Sequence, residues 1–285
     1  MTISICICTR DRPAVLMRCL ESIKNGAAFP DEVLVSDDSS NPQATRDVCS
    51  LYGFVKYLSG PRTGLCANRN HVVESASSDY IALADDDSVI SHSFVRVAKK
   101  IVPATDPLTI FTGDVYEYDK LLPVSNPTFL GHFGGPIGDC HKTIHLNCNL
   151  FPRRAFSDAK FDESIIFGYE DMDLCAQLLS LRYKIVYEPS LHNGHMPPHR
   201  DEAEQSALAA QINYSRFYCT LKRYLLLERS AMATVAFFFI APLNLAAHYV
   251  KAGKFGMLLR PFTDIVRAAR SVEKYKQEVR RLNDG

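Results

Sequence analysis

Residues 80–87 read YIALADDD, an apolar run of strand-forming residues that ends in three consecutive carboxylates. The apolar part predicts a buried β-strand. Three adjacent carboxylates repel one another, so such a cluster is expected where a cation neutralises it. Carboxylate oxygens are the ligands of Mg²⁺ or Mn²⁺, which also bind diphosphate oxygens. The alternative is an acidic loop in which Asp87 or Ser88 caps the next helix.

The chain before this stretch alternates predicted strands and helices. Such a rhythm is typical of βαβ units and a largely parallel sheet, in which ligands bind at the carboxyl ends of the strands. Polar residues follow three of these strands, and we expect them along one edge: Thr9, Asp37 with Asp38, and residues 85–87. The predicted strands are residues 3–8, 32–35, 54–58 and 80–84, and the predicted helices are residues 14–23, 45–51 and 65–76.

A second group of acids, Glu170, Asp171 and Asp173, begins a predicted helix at residues 170–181. The helix dipole alone favours acids in a first turn. The functional interpretation is that one carboxylate faces a cleft as a general base toward a hydroxyl group.

Three histidines, His192, His195 and His199, lie in the segment LHNGHMPPH after a short predicted strand at residues 185–187. Gly194 and the two prolines argue against a helical pair of metal ligands. The segment is therefore predicted to be a loop that closes over a ligand, with one histidine completing a metal shell.

Composition indicates an ordinary globular protein. The chain has 285 residues, 47% of them hydrophobic and 22% charged, which suits one large α/β domain with an appendage. Its nine cysteines form no CxxC pair, so a structural zinc site is not expected. Free thiols are predicted instead, in a reducing compartment. The short apolar run before Arg10 does not resemble a signal peptide, and we predict a cytoplasmic protein.

The zero net charge hides an uneven distribution: residues 216–285 hold 13 Lys and Arg against 5 Asp and Glu, or +8, and residues 1–215 carry −8. A basic tail predicts contact with an anionic surface, although a solvated helix face would look the same. Residues 203–285 read as helices. The uncharged run 231–247 is short for a membrane span and contains Pro242, which favours an interfacial or buried helix.

Apolar residues recur every seven positions near the end of the chain, at Leu258, Ile265, Val272 and Val279. This stripe predicts that residues 258–282 lie on anionic lipid, with packing on the catalytic domain or pairing with a second chain as the alternatives.

Taken in order, the motifs resemble the inverting glycosyltransferase family 2 over roughly residues 1–200. The resemblance is carried by CTRDRP at 8–13, VSDDSS at 35–40, GLCANRN at 64–70, YIALADDD at 80–87, FDE at 161–163, GYEDMDL at 168–174, and YEP at 187–189 with His195.

The resemblance implies a GT-A fold, a Rossmann-like α/β architecture with a mainly parallel sheet flanked by helices, and a C-terminal helical extension. The catalytic domain would span residues 1–202, with a nucleotide-binding part at about 1–102 and an acceptor part at about 103–202. Residues 203–285 would form the helical region.

The resemblance also implies roles for single residues, with Mn²⁺ or Mg²⁺ as cofactor. Asp171 would be the catalytic base, and Glu170 would contact sugar or acceptor. Asp87 and one histidine, His195 by position, would bind the metal. The nucleotide-sugar contacts would be Thr9 and Asp38 to the base, Asp85 and Asp86 near the ribose, and Arg10, Arg69 and Asn70.

The predicted function is therefore a metal-dependent inverting hexosyltransferase. It would move a sugar from a nucleotide-sugar, by default a UDP-sugar, to a hydroxyl of a carbohydrate or lipid-linked acceptor in cell-surface polysaccharide or glycolipid synthesis. We expect it on the inner face of the cell membrane, bound to an anionic surface, with a homodimer as an alternative and no nucleic acid partner. A metal-dependent phosphohydrolase, a sugar-phosphate nucleotidyltransferase and a non-catalytic binding module are the competing hypotheses.

Overall fold

The N-terminal half alternates strands and helices in the predicted order. In the computed structural model, which describes residues 1–102, 106–135, 137, 140–199 and 201–284, the order in this half is β1 (Ile3–Thr9), α1 (Pro13–Lys24), β2 (Glu32–Asp37), α2 (Gln43–Ser50), β3 (Val55–Ser59), α3 (Leu65–Glu74) and β4 (Tyr80–Asp85). Strands β1 to β4 pair in parallel, so the predicted parallel sheet is confirmed.

The second half extends this sheet with mixed pairing. Its elements are β5 (Ser88–Ile90), α4 (Phe94–Ile101), β6 (Thr109–Glu117), β7 (Lys120–Leu122), β8 (Asn149–Pro152), α5 (Ala155–Asp158), α6 (Glu170–Ser180) and β9 (Lys184–His195). The strand order is β3-β2-β1-β4-β8-β6-β9-β5, with β7 paired to β6. Strand β8 is antiparallel to both β4 and β6, whereas β6 and β9 are parallel. The domain boundary predicted near residue 103 lies outside the described residues.

The predicted loop around the histidines is wrong at its start, because β9 continues through His192 to His195. Its outer end pairs with β5, where His195 faces Ser88, and with β6, where His195 faces Glu117. These backbone hydrogen bonds stabilise the extended chain on both sides. A side chain at residue 194 would lie 3.1 Å from Cβ of Val89, so glycine permits the close pairing with β5.

Apolar side chains cover both faces of the sheet. In β1 the side chains of Ile3, Ile5 and Ile7 join the cluster formed with α1 and α4, whereas Cys6 and Cys8 join the cluster formed with α3, α6 and the C-terminal helices. This alternation follows the period of two of a β-strand. All nine cysteines are free, as predicted, and Cys140 alone is exposed.

Three long helices follow the sheet: α7 (Glu202–Lys222), α8 (Ala231–Lys251) and α9 (Arg260–Asp284). Asp201 begins α7 as its N-cap, with Glu204 completing a capping box. A π-helical turn, Arg223–Leu227, leads from α7 toward α8.

The two middle residues of the seven-residue stripe pack inside the protein, whereas Val279 near its end is 37% exposed, so the lipid-facing orientation predicted for the stripe is wrong at its centre. Ile265 and Val272 are 2% and 1% exposed. On the same face, Ser271 and the Tyr214 hydroxyl of α7 lie 2.9 Å apart, and the Arg267 guanidinium lies over the Tyr214 ring. The helix therefore packs within the protein, chiefly on α7 of the C-terminal helical region.

Candidate active site

The strand register brings the polar strand ends together at one edge of the sheet. Thr9 at the end of β1 is paired with Asp37 in β2, and Cys8 is paired with Asp85 in β4. A cleft of about 680 Å³ opens at this edge, between the strand ends and the start of α6. Its position is the one expected for a ligand of an open α/β sheet.

Nine of the eleven predicted site residues line this cleft, and they come from both halves of the domain. The nine are Thr9, Arg10, Asp38, Arg69, Asp85, Asp87, Glu170, Asp171 and His195.

The two exceptions, Asn70 and Asp86, hold other parts of the protein in place. The Asn70 side chain donates to the carbonyl oxygen of Phe161 and accepts from the amide of Phe161, both at 3.0 Å. Asp86 is fully buried and accepts hydrogen bonds from the Thr9 hydroxyl at 2.7 Å and from Arg12 Nε at 3.1 Å. Neither side chain lines the cleft, so the structure does not bring these two residues to the place where the other nine meet.

Asp86 also differs electrostatically from its neighbours. Burial raises its pKa to about 7, although the charge of Arg12 and the hydrogen bond from Thr9 act in the opposite direction. Its bonds to Thr9 and Arg12 fix the edge of β1 against the end of β4.

Asp38, which directly follows β2, lines the cleft and is fixed by its neighbours. Its Oδ1 accepts a hydrogen bond from the backbone amide of Arg62 at 2.9 Å. A Cβ at residue 60 would lie 2.3 Å from the same oxygen, so Gly60 leaves room for this carboxylate.

Asp87 and His195 form the part of the cleft that fits a divalent cation. Asp87 is 7% exposed, and its Oδ1 accepts no hydrogen bond from the described residues. His195 Nε2 lies 3.4 Å from that oxygen, and its Nδ1 lies 3.1 Å from Glu117 Oε2. A carboxylate partner on the far nitrogen is typical of metal-binding histidines.

No three His, Cys, Asp or Glu residues of the described chain are grouped so that they could hold a metal. Two protein ligands still suit Mg²⁺ or Mn²⁺, since such ions are commonly bound by one or two side chains together with substrate phosphates and water. The helix-cap alternative does not apply, because Ser88 begins a strand and the next helix follows Ser93.

Neighbouring charges shift the pKa values of both Asp87 and His195. Burial acts to raise the pKa of Asp87, but the close contact and charge of His195, together with the charge of Arg12, outweigh it and the pKa is lowered. Burial acts to lower the pKa of His195, but the close contact and charge of Asp87 outweigh it and the pKa is raised. Arg12 Nη1 lies 3.3 Å from Asp87 Oδ2, so this arginine belongs to the same cluster.

The three histidines occupy different places. His195 alone lies beside Asp87, whereas the His192 ring packs edge-on against Tyr116 and His199 is exposed. The geometry therefore favours His195 among the three as the metal ligand.

Arg69 joins the two halves of the cleft. This arginine is 2% exposed, and its guanidinium donates to Asp85 Oδ1 at 2.8 Å and to Glu170 Oε1 at 2.6 Å. Burial acts to lower the pKa of Arg69, but the charges of Asp85 and Glu170 raise it. The second oxygen of Glu170, Oε2, is buried without a hydrogen-bond partner among the described residues, and it can accept a hydrogen bond from a ligand hydroxyl.

Asp171 enters the cleft from a strained turn. Gly168 and Tyr169 before it both have left-handed backbone angles, with φ of 79° and 70°. For tyrosine this conformation is costly, and such strain is found at functional sites. The Tyr169 ring stacks on Phe133 at 5.0 Å, which fixes the turn. Asp171 is half-buried, and burial together with the charge of Glu170 raises its pKa.

Two residues of the site were not predicted from the sequence. Arg12 lies in the quoted CTRDRP motif, which is the signal that could have identified it. Asn147 accepts from the Asp85 amide at 3.3 Å and from the Ser88 hydroxyl at 2.8 Å, and it lines the cleft. No spacing or charge pattern marks this asparagine.

Comparison with known families and structures agrees with this geometry. The family model described as glycosyl transferase family 2 matches residues 4–158, which is more than half of the chain. A comparison with curated proteins finds no match.

Several solved structures share the fold, among them the following two. One is the crystal structure of GalNAc-T7 with UDP, GalNAc and Mn²⁺, at a TM-score of 0.64 and 17% identity over 84% of this chain and 50% of that one. The other is S. aureus TarS 1–349 in complex with UDP-GlcNAc, at a TM-score of 0.59 and 15% identity over 95% of this chain and 80% of that one. The chain thus spans half the length of the GalNAc-T7 structure.

Proposed function

Because the chain belongs to glycosyl transferase family 2 and has the GT-A fold, we propose that it transfers a sugar from a nucleotide-sugar donor to an acceptor hydroxyl, with inversion at the anomeric carbon. One observation carries the proposal. Carboxylates that directly follow β2, that end and follow β4, and that begin α6 converge with His195 in one cleft, although they are distant in sequence.

The donor that we propose is a UDP-sugar. Both structural neighbours named above were crystallised with UDP or a UDP-sugar, which supports this choice of nucleotide. Asp38 would accept a hydrogen bond from the base, with Thr9 close to it, and Asp85 would lie near the ribose. Arg10 lines the same cleft and is 73% exposed in its side chain, so it is free to contact the donor phosphates.

Asp87 and His195 are the residues that would hold a divalent ion. When bound, Mn²⁺ or Mg²⁺ would stabilise the negative charge that develops on the departing nucleoside diphosphate. Arg12 beside Asp87 keeps a positive charge at this end of the cleft.

Asp171 is the base that we propose for the acceptor. Its carboxylate would take the proton of the acceptor hydroxyl as the oxygen attacks the anomeric carbon from the side opposite the leaving diphosphate. The strained turn at Gly168 and Tyr169 directly precedes α6 and so fixes the position of Asp171 in its first turn. Arg69 fixes the neighbouring Glu170, whose free oxygen would orient a hydroxyl of the sugar or the acceptor.

We further propose that the C-terminal helices bind an anionic membrane, with a lipid-linked or polysaccharide acceptor at its surface. Among the described helices, α8 is long and apolar enough to cross a membrane. Only 22% of its most apolar stretch is buried inside the protein, so most of this apolar surface is exposed. Its outward face carries Met232, Val235, Phe239 and Leu243, each more than half exposed.

Exposed basic side chains flank this apolar face. Lys251 and Lys254 follow it at the end of α8, and both are exposed. An exposed apolar face with basic flanks is typical of a helix that lies in a membrane interface. The free cysteines favour a reducing compartment, so we place the protein on the cytoplasmic side of the membrane.

Calorimetric titration of UDP tests the donor and the metal together. With Mn²⁺ present the full chain should bind UDP, and with chelator present the binding should disappear, because carboxylates otherwise repel the diphosphate. Asp87→Asn should weaken binding by at least about tenfold. Asp47→Asn, an exposed position on α2, is the matched control and should bind as the unchanged protein does. Undiminished binding in chelator would contradict metal dependence.

A further inference from the structure

A second cavity, of about 420 Å³, lies between α7 and the C-terminal half of α8. It shares no lining residue with the cleft at the strand ends. No carboxylate lines it among the described residues. Besides the hydroxyl groups of Ser206 and Tyr249, its polar wall carries cationic, histidine and amide side chains: His132, Asn213, Asn244, His248, Lys251 and Lys254.

Helix α7 carries two fully buried cations, and only one of them has a carboxylate partner. Lys222 lies 2.6 Å from Asp162 and 2.9 Å from Asp173. Arg216 is 1% exposed and forms no ion pair with the described residues. Its Nη1 donates to the Leu130 carbonyl at 2.6 Å and its guanidinium lies over the Phe217 ring, whereas its Nε and Nη2 have no hydrogen-bond partner in the described part of the chain.

A buried cation without a counterion is costly, because its lost hydration is not replaced. The neighbouring Lys222 shows how this fold compensates such a charge, with two carboxylates. At Arg216 an anion from outside the chain would provide the compensation.

Arg216 lies beside the wall of the second cavity. The loop that accepts its hydrogen bond at Leu130 continues to His132, which lines the cavity. Burial lowers the pKa of His132, and the charge of Arg216 lowers it further. Phe133, the next residue, stacks on Tyr169 in the wall of the active-site cleft. Two neighbouring residues, His132 and Phe133, therefore connect the cavity wall to the turn that precedes Asp171.

We propose that this cavity binds a phosphate group carried by the acceptor, with Lys251 and Lys254 supplying positive charge at its wall, His248 supplying a ring nitrogen, and the buried Arg216 adding its charge from beside the wall. Phosphate presents several strong acceptor oxygens, and hydrogen bonds from cationic groups to such oxygens are about twice as strong as neutral ones. The identification of the ligand as acceptor rests on the proposed glycosyl transfer, whereas anion binding does not.

Inorganic pyrophosphate, titrated calorimetrically with chelator present, is the probe. Chelator removes metal-dependent binding in the active-site cleft. The full chain should bind pyrophosphate, and the double variant Lys251→Gln/Lys254→Gln should bind it at least about tenfold more weakly. The matched control, Lys274→Gln/Lys276→Gln on α9, removes the same charge away from the cavity and should bind as the unchanged protein does. Equal affinity of the two double variants would overturn the proposal.

Arg216→Gln provides a second test that does not depend on the exposed lysines. It should lose pyrophosphate binding by at least about tenfold, with no decrease in the thermal midpoint, because an unpaired buried charge is removed. Retained binding in a folded Arg216→Gln protein would also overturn the proposal. Competition by dibutyryl phosphatidic acid that exceeds competition by inorganic phosphate would identify a lipid phosphate, and equal competition would identify a soluble one.

The outcomes remain distinct from those of the donor titration. If the unchanged protein did not bind UDP in the presence of Mn²⁺, the proposed function would be contradicted. The pyrophosphate titrations would still show whether the second cavity binds an anion. UDP binding should be unaltered in Lys251→Gln/Lys254→Gln, since neither lysine lines the active-site cleft.

Discussion

Lys222 in α7 lies 2.9 Å from Asp173 in α6, and both side chains are buried. Asp173 is two residues beyond Asp171, so the ion pair ties the helix that presents the proposed base to the C-terminal helices. The Tyr275 ring of α9 covers the same ammonium group at 3.8 Å. The helical region is therefore part of what fixes the active site.

Removing this lysine should destabilise the protein strongly. Lys222→Met leaves Asp162 and Asp173 as buried carboxylates without a cation, and we expect a loss of about 3–5 kcal/mol in the free energy of unfolding in urea. Lys276→Met on α9, whose partner Glu273 is half exposed, is the control and should lose less than about 1 kcal/mol. Similar unfolding midpoints for the two variants would show that the buried pair does not hold α6.

Replacing the proposed base should abolish turnover without affecting the donor. Asp171→Asn keeps the size of the side chain but cannot accept a proton, so kcat should fall by at least about 100-fold. The dissociation constant of UDP with Mn²⁺, measured by calorimetry, should stay unchanged, because Asp171 is not among the residues proposed to bind the nucleotide or the metal.

Glu170→Gln is the informative comparison. It weakens the ion pair with Arg69, so KM should rise, whereas kcat should fall less than in Asp171→Asn. If Glu170→Gln were the inactive variant and Asp171→Asn the active one, the base would be Glu170.

The pH dependence of turnover follows from the raised pKa of Asp171. An unperturbed aspartate has a pKa of about 3.9. Burial and the charge of Glu170 raise the pKa of Asp171 above this value, so its carboxyl group stays protonated to a higher pH. Only the deprotonated form can act as base. As the pH falls below the pKa, kcat should decrease by about tenfold per pH unit, already between about pH 7 and 5. A kcat that is constant over that range at saturating donor would contradict this assignment.

The outward face of α8 should determine membrane binding. Phe239→Glu/Leu243→Glu places two charges on that face and should abolish sedimentation of the full chain with anionic vesicles, and added salt should weaken the binding of the unchanged protein. Leu51→Glu, on an exposed apolar residue that follows α2, is the control and should sediment normally. Normal sedimentation of the double variant would assign α8 another role.

Much of the N-terminal half could be predicted from its sequence, because each element there is local. Residues 80–84 form the predicted buried strand, and the acids after it reach the cleft because the carboxyl ends of parallel strands meet at one edge. Motifs did not reveal which way each side chain points. Asp86 and Asn70 lie within the motifs yet face inward, where Thr9 and Phe161 bind them.

The remaining features depend on partners far along the chain. The histidine segment is extended because β6 and β5 pair with it, and Asp114 of β6 faces His192 from 78 positions earlier. Lys222 binds Asp173 and Asp162, which lie 49 and 60 residues earlier in the chain. No sequence periodicity predicts an ion pair over such distances. The stripe on α9 was visible in the sequence, but its partner surface on α7 was not.

The stereochemistry of transfer tests the central claim most directly. Proton NMR should follow the anomeric signal of the sugar while the enzyme turns over an α-linked UDP-sugar with Mn²⁺, and the signal should be recorded before free sugar can interconvert between anomers. A single displacement with Asp171 as base gives a β-linked first product together with UDP. An α-linked first product would contradict the account, because a single displacement from the side opposite the leaving diphosphate cannot retain the configuration of the anomeric carbon.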